Sequence, residues 1–310
     1  MRVALRSVHW PSLQEALIAA GAFVALGTPA AVSQDKKQGI EDVRTEIAIA
    51  VQHSLRDNGI RDSTSDNFCL QSFLDEQQAT MVARKLEQMR ADAHKKWIGT
   101  APDKWTSPCD VLYFADANHY SRHTGASSNS PGRSKAESEP KTGRIVQRTI
   151  YVHGEVEHLL STAFPHEVTH MVLAGQFAPH HTPRWLDEGA AVLAEKGIAK
   201  IHKKNLPKFR EHALLFTAKE LIALDDYPLP KRIGPFYAQS IALTEHLAAQ
   251  KKGPKGVMDF ARDCLRGDPD AAVMKHYDKT LDALNTELWE IVEREAKARP
   301  KAVTLPGMKK

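Results

Sequence analysis

Three cysteines in 310 residues are too few for a disulfide framework, and a chain of this length can bury a core without one. Charge of one sign is also scarce. Basic side chains number 42 and acidic ones 38, with no long basic block, which argues against a nucleic-acid partner. No apolar run reaches the ~20 residues of a membrane span, and no internal repeat is found. A composition of 42% hydrophobic and 26% charged residues excludes wholesale disorder, a collagen-like fibre and a multi-pass membrane protein. Histidine, by contrast, is plentiful. There are 15, and six of them lie between His153 and His181, a density that points to metal chemistry.

The N-terminus reads as an export signal. Arg2 and Arg6 precede the apolar run Ala16–Leu26, and Gly27, Thr28 and Pro29 follow it. Ala31-Val32-Ser33 suits cleavage before Gln34. The expectation is a signal peptide over 1–33 and a periplasmic or extracellular protein with no lasting membrane span. An uncleaved anchor is the alternative. An oxidising compartment permits one disulfide among Cys69, Cys109 and Cys264. Cys69–Cys109 is the pair to test first, because both flank one helical segment; three unpaired thiols are the alternative.

Apolar spacing predicts helix over 40–57, through Ile40, Val43, Ile47, Val51 and Leu55. A longer helix is expected to open near Asp75 and carry Val82, Leu86, Met89, Ala93 and Trp97. Together these make a helical N-terminal region over 34–106. Val111–Phe114 reads as a short strand and Arg144–Val152 as the best strand in the chain. The polar stretch 124–143, rich in Ser, Gly and Pro, reads as a mobile loop. Helical stripes follow over roughly 155–175, 183–196, 207–223, 236–250, 254–265 and 279–297. The fold class is α+β, with a small mixed sheet first and helices after it, and the main domain spans 107–300.

Within that domain Pro165-His166-Glu167-Val168-Thr169-His170 contains His-Glu-x-x-His. Residues four apart share one helix face, so His166 and His170 can offer nitrogens to one ion. Imidazole binds Zn2+ at ~2.0–2.1 Å. Glu167 is turned ~100° from His166, beside the ion and not on it, where a general base for an attacking water belongs. A third ligand is needed, and His180, His181, Asp187 and Glu188 are the candidates. Thr182 and Pro183 fit the start of a second helix, which Gly197 would end.

His166-Glu167-x-x-His170, followed 18 residues later by the Glu of Trp185-Leu186-Asp187-Glu188-Gly189-Ala190, resembles the gluzincins, the thermolysin-like zinc metallopeptidases. It is most similar to the peptidase MA-like domains of exported bacterial proteins. Pro183-Arg184-Trp185 and Tyr237-Ala238-Gln239-Ser240 match two further stretches of that pattern, and the likeness covers roughly 107–265. The resemblance implies a thermolysin-like domain holding zinc on His166, His170 and Glu188. Glu167 would be the general base and acid, and Tyr237 the donor to the oxyanion. Peptides or proteins would be the substrate, paired with Arg144–Val152 as edge strand. An endopeptidase is implied over an aminopeptidase, since no Gly-x-Met-Glu-Asn type motif for gripping a free amine is present. The pattern departs at Val192, where these enzymes often place an Asp that orients a zinc histidine, so Asp187, Glu195 or a backbone carbonyl would have to serve. A non-catalytic zinc-binding recognition module of the cell envelope is the second reading, and a structural envelope protein with a residual motif is the third.

Overall fold

The computed structural model describes residues 49–298. The expected signal peptide and the stripe from Ile40 to Ile47 lie outside them. One six-stranded sheet organises the first half, built from β1 (Gln52–Leu55), β2 (Arg61–Thr64), β3 (Phe68–Ser72), β4 (Cys109–Phe114), β5 (Gly132–Ser138) and β6 (Ile145–His153). Its order is β1-β2-β3-β4-β6-β5. β3, β4 and β6 run parallel, while β1, β2 and β5 are antiparallel to their neighbours. The architecture is α+β.

Several sequence expectations change here. Val51 and Leu55 are spaced for a helix, yet Gln52–Leu55 is a mostly exposed strand paired with Arg61–Thr64. Residues 52–72 therefore supply three strands, continuous with β4 across position 106, and only 76–97 keeps the helical character expected of that region. The stretch 124–143 is not a loop throughout, because β5 lies inside it. Gly132, Ser134 and Ala136 alternate with Arg133, Lys135 and Glu137, a period of two that the polar composition conceals. β5 is one edge of the sheet and β1 the other, while β6, expected as the edge strand, is interior and bonded on both sides. The expected Cys69–Cys109 disulfide does not form, and all three cysteines are free. Cys69 sits opposite Asp110 and Cys109 opposite Phe68, so in alternating strands the two thiols point to opposite faces.

Helix α1 (Glu76–Trp97) begins where Asp75 caps it by accepting from the Gln78 N–H. It lays Val82 and Leu86 on Phe68, Leu70, Val111 and Ile150 of the sheet. Two short helices follow in the chain, α2 (Ala117–Thr124) and α3 (Val156–Ser161). After Thr162 the chain enters α4 (Ala163–Phe177), with Pro165 in its first turn, where a missing N–H costs nothing. Eleven of its 15 residues are buried, because α4 is covered on both sides. Phe164, Val168 and Met171 pack on the sheet, while Leu173 and Phe177 join the helical layer behind. That layer holds α5 (Arg184–Val192), α6 (Ile198–Lys203), α7 (Leu206–Glu211), α8 (Ala218–Ile222), α9 (Pro230–Ala248), α10 (Gly253–Arg266), α11 (Pro269–Tyr277) and α12 (Leu281–Lys297). The expected stripe over 207–223 is interrupted between α7 and α8, where the buried Gln239 amide binds both the N–H and the C=O of Phe216. Among the described residues no helix is long and apolar enough to cross a membrane.

All nine residues of α5 are buried. It lies so close to α9 that a β-carbon on Gly189 would stand 2.2 Å from Thr244 Oγ1 and 2.5 Å from the Ser240 carbonyl oxygen. Only glycine permits that approach. Pro183, and not Thr182, occupies the cap position, and the helix stops at Val192 rather than near Gly197.

Candidate metal centre

His166 and His170 lie one turn apart on α4, and Glu188 reaches them from α5. One ligand atom from each of these three side chains falls within 4.8 Å of the others, and all three are buried. The two Nε2 atoms are 3.0 Å apart. Glu188 Oε2 stands 3.7 Å from His166 Nε2, and Oε1 stands 4.0 Å from His170 Nε2.

The other side of each ring is held by a carboxylate. Glu195 Oε1 accepts from His166 Nδ1 at 2.8 Å, and Asp187 Oδ1 accepts from His170 Nδ1 at 2.7 Å. This fixes both rings with their Nε2 lone pairs converging on one point. Glu195 can do this because α5 ends at Val192. In a continuing helix it would lie ~10 Å along the axis from Glu188. Instead a turn brings it back, anchored where Lys196 N–H donates to the Ser161 carbonyl at 2.9 Å.

Glu188 has its own partners. The Tyr227 hydroxyl donates to Oε1, and the Tyr237 hydroxyl lies against both Glu188 and Tyr227. Burial and the Glu188 charge hold both phenols well above their ordinary range. Glu188 Oε2 makes no hydrogen bond among the described residues. The Arg184 guanidinium lies 5.0 Å from the Tyr227 ring centre and 3.9 Å from Asp187 Oδ2, touching the supports of two ligands at once.

Do these residues fit a cation? Glu167, Asp187, Glu188 and Glu195 are four carboxylates in a space that is almost fully buried, and Arg184 is one charge against them. Burial opposes a charged imidazole, yet Asp187, Glu188 and Glu167 outweigh it and push His170 up to about 10. Burial likewise opposes charge on His166, and its bond to Glu195 overcomes that. Burial pushes Glu195 up as well, against the lowering effect of its bond to His166. The pocket demands positive charge. Two imidazole nitrogens, a carboxylate oxygen without a hydrogen bond and outer carboxylates on both rings form a donor set suited to a divalent ion.

Glu167 stands beside this group. Ser134 on β5 donates to its Oε2 at 2.6 Å. His166, Glu167 and His170 thus come together as the helical spacing implied, and Glu188 and Tyr237 join them as the resemblance implied. His180 and His181 do not join the ligand group; both are exposed, on the segment before α5. Tyr227 and Ser134 are the contributors that sequence reading misses. The one signal for Tyr227 is its place in the proline-containing stretch Tyr227-Pro228-Leu229-Pro230 that leads into α9, and for Ser134 it is the strand alternation of β5.

Compared with the models of known protein families, the chain matches none, and no curated protein matches it.

Proposed function

We propose that this chain is an exported zinc-dependent peptidase of the gluzincin type, with a thermolysin-like domain, and an endopeptidase rather than an aminopeptidase. The observation that supports this is the junction of three things: a His–His–Glu group on paired helices, a carboxylate beside it that is not part of it, and an open sheet edge next to both. His166, His170 and Glu188 are the residues that would hold the zinc. When bound, zinc supplies a Lewis acid for a peptide carbonyl and makes water easier to deprotonate.

The chain's own groups account for the rest. Among the described residues no strand pairs with the outer side of β5, and an extended peptide can add there as a further strand. Glu167 takes the proton of the attacking water and delivers it to the departing amine. Tyr237, beside Glu188, donates to the oxygen on which charge develops. Asp187, Glu195 and Tyr227 keep the three ligating side chains in place.

The test is Glu167→Gln. The amide keeps the shape but cannot take up the proton of the attacking water. The variant is expected to bind one zinc per chain and to lose turnover of fluorescein-labelled casein. An unchanged rate refutes the mechanism. One zinc per chain with no cleavage by the parent protein would instead favour a zinc-binding recognition module.

A further inference from the structure

The edge strand does more than border the cleft. Ser134 is buried, and its hydroxyl has Glu167 Oε2 as its partner at 2.6 Å, the short length of a charge-assisted O–H···O bond. Two residues earlier, on the same face of β5, Gly132 presses against the same side chain. A β-carbon built there would lie 2.9 Å from Glu167 Oε1, 3.2 Å from its Cγ and 3.1 Å from Ala163 Cβ. One residue bonds one carboxylate oxygen while the other closes in on the second.

The strand itself is fixed at this point. Ser130 Oγ donates to the Gly132 carbonyl at 2.7 Å, and the Ser130 carbonyl faces His153 Nε2 at 2.7 Å. The His153 N–H donates to the Pro131 carbonyl at 3.1 Å. Gly132 pairs with Val152 and Ser134 with Ile150, both in the buried interior of β6. A hydrogen bond set on so constrained a strand can fix a rotamer that a free glutamate would not keep.

We propose that Gly132 and Ser134 form a clamp on the edge strand that sets the position of the Glu167 carboxylate, making both of them positioning residues for proton transfer. This rests on the reading of Glu167 as the base. It ties two tasks to one strand: the segment that would align the substrate backbone also aligns the group that moves the proton.

The clamp makes two variants informative for independent reasons. Ser134→Ala removes the donor. Gly132→Ala leaves the donor but sets a methyl group 2.9 Å from Glu167 Oε1 and 3.1 Å from Ala163 Cβ; the carboxylate end is the tighter contact and the more flexible one, so it moves while the Ala163 contact needs only a few tenths of an ångström. The experiment measures kcat and KM on fluorescein-labelled casein, with zinc stoichiometry, for the full chain and for both variants, beside Glu167→Gln. Each variant is expected to keep one zinc per chain and a KM within about twofold, and to lose ~10–100-fold in kcat, the scale of a misplaced catalytic group. If the parent cleaves casein and kcat is unchanged in both variants, the clamp is refuted while the peptidase reading stands. If kcat falls only because zinc is lost, Gly132 and Ser134 support the metal centre and the assignment is likewise overturned. If the parent cleaves nothing, or Glu167→Gln keeps full activity, the peptidase reading fails and the clamp has no base to position.

Discussion

Asp187→Asn isolates one support of the candidate metal centre. Asp187 Oδ1 lies 2.7 Å from His170 Nδ1, with both groups buried. Asparagine keeps the shape and an accepting oxygen but removes the charge, roughly halving the strength of the bond. It also places an amide N–H2 where Oδ2 now stands, 3.9 Å from the Arg184 guanidinium. Loss of such an outer partner typically costs ~10–100-fold in metal affinity, or ~1.4–2.8 kcal/mol at 1.4 kcal/mol per decade. With free zinc at ~1,000 times the parent Kd, binding stabilises the fold by ~4.1 kcal/mol, which falls to ~1.4–2.7 kcal/mol in the variant. For a domain of this size, at ~2–4 °C per kcal/mol, the zinc-induced rise in Tm should shrink by ~3–11 °C. Competition against a chromophoric chelator gives the Kd, and thermal melts with and without zinc give the stabilisation. Equal Kd values and equal zinc-induced shifts in parent and variant would refute the role of Asp187.

Other outcomes follow from the same coordinates. In the metal-free protein the His170 pKa is raised from 6.5 to about 10, so its proton stabilises the fold fully below pH 6.5 and progressively less as pH rises toward 10. The metal-free Tm should fall between pH 6.5 and 9, while zinc affinity rises over the same range because the ion displaces that proton; a flat metal-free profile would contradict this. Gly189→Ala drives a methyl group into Thr244 and the α9 backbone, and should cost ~3 kcal/mol, the upper end of overpacking, read from chemical denaturation. Tyr237→Phe should lower kcat on casein ~10-fold or more with zinc retained, whereas an unchanged kcat would remove it from oxyanion stabilisation. Thiol titration after denaturation without reductant should count three free cysteines, and native Cys109, fully buried, should not react.

The parts of this molecule that could be read from the sequence are those set by short-range geometry. Four-residue spacing on a helix brings His166 and His170 together wherever the helix sits, and the tetrad with Glu188 and Glu167 needed only a second helix nearby. The helix from Asp75 announced itself through its cap and its apolar stripe. The first strand did not, because Gln52–Leu55 is a mostly exposed edge with no buried face to impose alternation. Ser134 escaped because small and charged residues alternate in β5 without the β-branched side chains that mark a strand. Tyr227 is brought to Glu188 by a loop 39 residues downstream, a pairing made by tertiary packing alone. Glu195 was among the residues considered for orienting a histidine, but its route back to His166 depended on where α5 ended, and element boundaries are the weakest feature of any periodic pattern.

Helix α4 is a member of both hydrophobic cores, with Phe164 and Met171 in one and Leu173 and Phe177 in the other. Neither half of the molecule can melt while leaving the other intact around it, since each would strip the shared helix of half its packing. A chelator that empties the histidine pair should therefore loosen the seam between the halves, and the chain should denature in one sharp step whose midpoint tracks zinc, with no early-melting fragment to detect by limited proteolysis.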